Sequence, residues 1–243
     1  MMEFGLYDMW GYDSTNLKRN IDMGRIVYHL RKPTDNNLLN LFNIKYVSAH
    51  GDMRVRGYKK VNETRYAAVY LNRNCLPRAF LVRKPLIVKD ERAILSHMSD
   101  KKFDPKEEII LEEYVEVPQQ EKTGRIREDK VNILDYRPQR IDIFVVAKRP
   151  AFLLLSDTYY PGWKAYIDGK KTHIQRADYL LRAVVVPEGK HIVRFVYEPL
   201  SFRVGGIITL TALFSLAAYF ILSRHKGNLK LKAKKVLSRG FKF

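Results

Sequence analysis

A chain of 243 residues with 46% hydrophobic and 29% charged side chains is long enough to bury a core and too apolar to be disordered. Its formal net charge of +18 attracts anionic polymers such as nucleic acid, lipid head groups or cell-wall polymers without choosing among them. Cys75 is the only cysteine, which excludes an intrachain disulfide and reads as a small hydrophobe rather than a nucleophile.

The N-terminal stretch mixes turn residues with short apolar runs, until LLNLFN at Leu38–Asn43 predicts one or two helical turns before a strand, KYVSA. Runs rich in Val, Ile, Tyr and Phe then recur between turn residues: RYAAVYL, RAFLV after Pro77, and LIVKD after Pro85. ERAILSHMSD predicts a helix ending near Phe103-Asp104-Pro105, and IILEEYVEV another strand. Pro118 to Lys130 has no apolar periodicity and reads as an exposed loop or boundary.

Beyond it RIDIFVVAK, AFLLLSD, WKAYIDG, KTHIQRA, LLRAVVVP and HIVRFVYEP follow one another with Gly or Pro between most of them, the pattern of an antiparallel sandwich. Alternation sets Ile141, Ile143 and Val145 on one face and Asp142 and Phe144 on the other. Leu153, Leu154 and Leu155 run together, which predicts a strand buried on both faces. Asp168-Gly169 predicts a hairpin turn, and Glu188-Gly189 a second.

Between Arg203 and Arg224, VGGIITLTALFSLAAYFILS carries no charge; at about 1.5 Å per residue it spans about 30 Å, the hydrocarbon thickness of a bilayer. The tail after it is basic throughout and holds no acidic residue, so the positive-inside rule places it in the cytoplasm and residues 1–202 outside. Arg224, Lys226, Lys230 and Lys232 are the candidate contacts to anionic lipid. Residues 1–30 contain no apolar segment able to act as a secretory signal. Two resolutions stand: a tail-anchored protein that defies the charge rule, or the C-terminal piece of a larger polytopic protein whose upstream helices export the domain.

The expected fold class is therefore mainly β. It comprises an extracytoplasmic α+β subdomain (1–117), a boundary (118–130), an antiparallel β-sandwich portion (131–202), a transmembrane helix (203–223) and a basic cytoplasmic tail (224–243). Within the sandwich, Tyr159-Tyr160-Pro161-Gly162-Trp163 is the most distinctive local feature, because its Pro-Gly pair forces a tight turn that brings three rings together. Rings stack on sugar faces or cap a sandwich core. Tyr159, Tyr160 and Trp163 are the candidate glycan-binding rings, with Asp168, Arg176 and Arg182 as candidate polar contacts. The histidines show no metal spacing, and no phosphate-cradling glycine loop or nucleophile motif occurs, so no cofactor, metal or catalytic residue is expected. Glu107, Glu108, Glu112, Glu113 and Glu116 read as a solvated edge rather than a cation site. The basic residues are scattered outside the tail and no nucleic-acid module occurs, so no nucleic-acid partner is expected.

DTYYPGWKAYIDGKKTHIQRADYLLRAVVVPEGKHIVRFVYEP, Asp157 to Pro199, followed directly by the apolar run, resembles the C-terminal end of the YfhO family of bacterial membrane proteins. GYDS at Gly11–Ser14, LLNLFNIKYV at Leu38–Val47 and NRNCLPRAFLV at Asn72–Val82 resemble successive blocks of that family's last extracytoplasmic region. The resemblance implies a polytopic protein similar to GT-C glycosyltransferases, which move a sugar from a polyprenyl-phosphate carrier outside the cytoplasm, in some members onto lipoteichoic acid. It also implies that upstream helices, on the same or a partner chain, export the domain, with Met1-Met2 a truncated or misassigned start. The GT-C catalytic aspartate belongs to a first extracytoplasmic loop with no counterpart here, so no catalytic residue carries over and no activity of this chain alone is expected. The implied function is a non-catalytic extracytoplasmic module and last membrane helix, positioning or recognising an envelope glycan or teichoic-acid acceptor in a bacterial cell membrane. The alternative is a stand-alone membrane-anchored scaffold that binds anionic polymers or lipids.

Overall fold

A computed structural model describes residues 17–28, 37–50, 52–116 and 128–239, the last of these without the side chains of 223–239. The Gly11–Ser14 block and most of the 118–130 boundary lie outside the described residues. In chain order come α1 (Lys18–Tyr28), α2 (Leu38–Leu41), β1 (Tyr46–Ala49), β2 (Tyr58–Glu63), β3 (Ala68–Asn72), β4 (Ala79–Val82), β5 (Lys84–Ile87), α3 (Glu91–Ser99) and β6 (Glu108–Leu111). Then follow β7 (Lys130–Arg137), β8 (Arg140–Ala147), β9 (Ala151–Thr158), β10 (Trp163–Ile167), β11 (Lys170–Thr172), β12 (Gln175–Ala177), β13 (Leu181–Val186), β14 (Gly189–Tyr197) and α4 (Leu200–Arg239). Residues through Tyr197 form one unit, and Glu198 onward a second.

The strands make three sheets: β1-β3-β2, β11-β10-β14-β8-β7 and β4-β9-β13-β12-β6-β5. The last draws strands from both sides of the 117–127 stretch. Its curvature follows from connectivity. β4 and β5 are its opposite edges, separated in sequence by Arg83 alone. Two Cα atoms two residues apart lie within about 7 Å, whereas six flat strands would hold their edges about 24 Å apart, so the sheet must curl enough to bring the end of β4 to the start of β5.

The curled sheet is buried on both sides. On one, Phe152, Leu154, Leu181 and Ala183 pack with Met23 of α1, Leu38 and Leu41 of α2, and Ile94 and Met98 of α3. On the other, Leu153, Leu155, Val184 and Val186 meet Ile141, Ile143, Val145, Val193 and Phe195 of the five-stranded sheet. The alternation in β8 and the unbroken leucines of β9 thus do what their patterns predict: one strand lines a single core, the other divides two. β5 and β6 run parallel, because α3, capped by the Asp90 carboxylate accepting from the Ala93 N–H, carries the chain back between them.

Asp168 and Gly169, at φ 49° and 81°, form the two-residue turn between β10 and β11. Glu188-Gly189 does not make a hairpin. β13 and β14 belong to different sheets, so this turn carries the chain across the sandwich. Three elements escape sequence reading. β2 is almost wholly exposed, β7 lies at a half-exposed edge, and α1 buries Met23 fully but little else, so none displays a clean apolar period. The second unit holds α4, whose segment Leu200–Leu222, at mean hydropathy 2.0, is long and apolar enough to cross a membrane.

The turn between β12 and β13 holds two consecutive left-handed residues, Asp178 (φ 45°) and Tyr179 (φ 69°), and buries both side chains. Asp178 Oδ1 accepts the Ile110 N–H at 2.8 Å, while Oδ2 meets no hydrogen-bond donor among the described residues. Burial pushes this carboxyl up to about 7, and the nearby Glu108 adds to the shift. The folded state therefore holds a proton that the unfolded state loses at about pH 4, and stability from this group falls as pH rises from about 4 to 7. Asp178→Asn keeps both the acceptor and tolerance of the left-handed backbone. Thermal melts of the full chain in detergent should show the wild-type midpoint falling from pH 4.5 to 8 relative to the variant; parallel curves would refute the assignment.

Candidate aromatic site

The candidate site forms where β9 leaves one sheet and β10 enters the other. Leu181 pairs with Thr158 but Arg182 with Leu155, so Ser156 and Asp157 bulge out of β9. The Ser156 hydroxyl donates to Leu41 O at 2.8 Å and its N–H to Arg78 O at 2.7 Å, which fixes the bulge. The chain then turns at Pro161-Gly162, with Gly162 at φ 104° and the Trp163 N–H directed at Tyr160 O, the positions a type II turn assigns to Pro and Gly.

Beneath the turn lies a buried charge cluster. The Arg182 side chain is 3% exposed and its Nη2 donates to Asp157 Oδ2 at 2.8 Å. The Tyr136 hydroxyl donates to Asp157 at 3.0 Å, and Arg78 Nη1 lies 3.3 Å from the same carboxylate. Arg182 Nε and Nη1 meet no acceptor among the described residues. The guanidinium instead lies 3.9 Å from the centroid of Trp163 and 5.5 Å from that of Phe195, so ring faces replace oxygens around it. Burial lowers the Arg182 pKa against the opposing pull of Asp157, and it raises the Tyr136 phenol to about 12. Two guanidinium groups thus share one carboxylate under the aromatic turn.

The rings stand on this base. Trp163 contacts Tyr197 at 5.3 Å between centroids, and Tyr197 contacts Tyr160 at 6.3 Å, both tilted by 45°. Tyr160 is 43% exposed. Arg176 covers the Tyr159 ring at 4.6 Å and pairs with Glu112 at 3.2 Å. Glu112 also pairs with Arg19 of α1, whose Nη2 lies 2.7 Å from Glu91.

Five of the six sequence-nominated residues therefore gather at one end of the sandwich: Tyr159, Tyr160, Trp163, Arg176 and Arg182. Arg182 stands behind Trp163 and Arg176 over Tyr159, so Tyr160, with Tyr197 beside it, offers the open aromatic surface. Asp168 lies at the other end of β10, where its carboxylate accepts the Ile192 N–H at 2.8 Å and sits 2.7 Å from His191 Nδ1. The side chains of Arg224, Lys226, Lys230 and Lys232 lie outside the described residues, although α4 continues through them. Tyr136, Arg78 and Tyr197 were not nominated. Arg78 and Tyr197 carried no local signal, whereas Asp157, two residues beyond Leu155 on the inward side of β9, marked a charge in need of partners.

Residues 112–209, which include every ring and cation of this end except Arg78 and Arg19, match the model of the family described as "Bacterial membrane protein YfhO". Over that stretch the chain is similar to the YfhO family. A curated relative, "Uncharacterized protein YfhO" of Bacillus subtilis (strain 168), is 26% identical over 101 residues. That alignment covers 42% of this chain and 12% of the relative, so the present chain spans only a small part of a YfhO protein's length. No solved structure matches.

Removing Arg182 from beneath Trp163 takes from Asp157 its most buried partner and leaves it Arg78 and Tyr136. Arg182→Ala should cost about 3–5 kcal/mol, the usual penalty for breaking a buried pair from one side. Denaturant titration of the full chain in detergent measures it, with Arg78→Ala, a partly exposed partner, costing clearly less. Equal costs would show that Arg78 holds Asp157 as strongly as Arg182 does and would refute the ranking.

Proposed function

We propose that this chain is the extracytoplasmic module and last membrane helix of a YfhO-type, glycosyltransferase-like membrane protein, and that its aromatic end contacts the sugar portion of an envelope glycan or teichoic-acid acceptor. The supporting observation is the outward-facing Tyr160–Tyr197 pair, braced through Trp163 by a cation that solvent hardly reaches. An aromatic surface held rigid before binding loses little entropy when a ring stacks on it. Only Glu198 and Pro199 separate Tyr197 from the first residue of α4. On this reading the site works close to the membrane surface, where a polyprenyl-phosphate sugar is presented. The donor chemistry belongs to upstream helices, and this module holds the acceptor.

Tyr160→Ala should weaken binding of a teichoic-acid or oligosaccharide fragment by about tenfold, the equivalent of ~1.4 kcal/mol, with an unchanged melting midpoint. Titration calorimetry of the full chain against such fragments reads this directly. Binding that 0.3 M salt abolishes and that ignores sugar identity would instead favour a scaffold using the +18 net charge.

The proposed orientation puts the sandwich outside and the tail inside. In a Cys75→Ser background, Lys170→Cys on the exposed β10–β11 hairpin should react with a membrane-impermeant maleimide in intact cells producing the full-length protein. Labelling only after lysis would reverse the orientation.

A further inference from the structure

Asp178 ties the turn between β12 and β13 both to β6 and to the start of the aromatic turn. β12 has only three residues and meets β6 through the single pair Ala177–Leu111. Two further bonds come from Asp178: its N–H donates to Ile110 O at 2.9 Å, and its Oδ1 accepts the Ile110 N–H at 2.8 Å. On the other side the Leu180 N–H donates to Asp178 O at 2.8 Å, and Leu180 O accepts the Tyr159 N–H at 2.6 Å. Arg176, the middle residue of β12, covers the Tyr159 ring. The backbone and the ring of Tyr159 therefore both depend on this tip.

The tip is poised to open. Asp178 is 0% exposed, no donor among the described residues reaches its Oδ2, and both it and Tyr179 hold left-handed backbone without being glycine. The charged groups around it supply no counter-ion. Glu108 of β6 bears on it with like charge, and is itself paired with His97 of α3 at 3.2 Å and Lys84 of β5 at 3.9 Å. Arg19 of α1 serves Glu91, Glu112 and the Tyr179 carbonyl, while Asp22 accepts the Tyr179 hydroxyl. Burial keeps the Asp178 carboxyl protonated up to about 7. With the proton on, the side chain is neutral. With it lost, a buried carboxylate is left with one N–H donor and a like-charged neighbour, a state that water relieves only when the turn opens.

We propose that Asp178 is a proton-operated latch: protonated, it holds the β12–β13 tip closed and orders Tyr159, and ionised, it releases the tip and loosens the Tyr159 end of the aromatic turn. The latch rests on packing and does not depend on what the rings bind.

Hydrogen exchange of the full chain in detergent, read by mass spectrometry at pH 5.5 and 8.5, tests it. Asp178→Asn, measured at each pH, cancels the intrinsic pH dependence of exchange. At pH 5.5 the two proteins should protect peptides spanning residues 157–163 and 175–181 alike. At pH 8.5 the wild type should exchange there about tenfold faster than the variant, while residues 151–155 in the core of β9 show no such gap. Glu108→Gln, which removes the like charge, should narrow the gap. His97→Gln should preserve it, a control needed because histidine is the side chain that ordinarily senses this pH range. A wild-type to variant ratio that is the same at both pH values, a gap spread evenly over both cores, or loss of the gap in His97→Gln would overturn the latch. Should Asp178→Asn fail to fold, Glu108→Gln against wild type decides: slower exchange of 175–181 at pH 8.5 supports the latch, and equal exchange overturns it.

Discussion

Burial of β9 and β13 on both faces is the constraint from which the rest of the soluble unit follows. A strand apolar on both sides cannot lie at the surface, so each face needs its own layer. The five-stranded sheet covers one face, and three short helices pack on the other. The helix layer is too small to form alone: α2 is a four-residue turn, and α1 fully buries only Met23 among its described apolar side chains. Curvature reconciles the two demands. A flat six-stranded sheet would offer the helices a plane, whereas the curl imposed by the one-residue link at Arg83 bends the sheet that they cover.

The same constraint explains what was legible in the sequence. β8 and β9 declared themselves, one by the alternation of Ile141, Ile143 and Val145 and one by its absence, because a two-core architecture assigns each pattern a place. The Asp168-Gly169 turn was equally plain, since glycine takes a φ of 81° without the strain a side chain would bring. Glu188-Gly189 looks the same locally and does a different job, for nothing in a turn tells whether its flanking strands pair or part. α1, β2 and β7 were hidden for the opposite reason: their place is set by contacts distant in sequence, such as Arg19 with Glu112, rather than by a period of their own.

The aromatic end was legible as a motif and not as a geometry. Tyr159-Tyr160-Pro161-Gly162-Trp163 predicted rings brought together by a tight turn, and the Pro-Gly turn forms. The division of labour among the rings depended on residues far away in sequence. Arg182 comes from β13, Tyr197 from the end of β14, and Tyr136 from β7. A cation under Trp163 and another over Tyr159 leave Tyr160 open, a distinction that composition cannot make. Among the glutamates read as a solvated edge, Glu108 and Glu112 are partly buried and paired: Glu108 sits 3.2 Å from His97, and Glu112 joins Arg19 and Arg176 and so links α1 to the aromatic end.

The β12–β13 hairpin connects these parts. Arg176 and Arg182, paired across its two strands, reach Tyr159 and Trp163 respectively. At its tip Tyr179 is held from the helix side: its hydroxyl donates to Asp22 at 3.0 Å, its carbonyl accepts Arg19 at 2.6 Å, and the Arg19 guanidinium lies over its ring. The tip costs backbone strain at two non-glycine residues and leaves one buried carboxylate oxygen without a donor. Such costs persist only where the surroundings determine the conformation. Here the surroundings are α1, β6 and the curled sheet together, so the positions of the two arginines are set by the packing of the whole unit. An aromatic surface braced in this way is rigid because the core beneath it is, and any softening of the helix layer should loosen the rings through Arg19, Glu112 and Arg176.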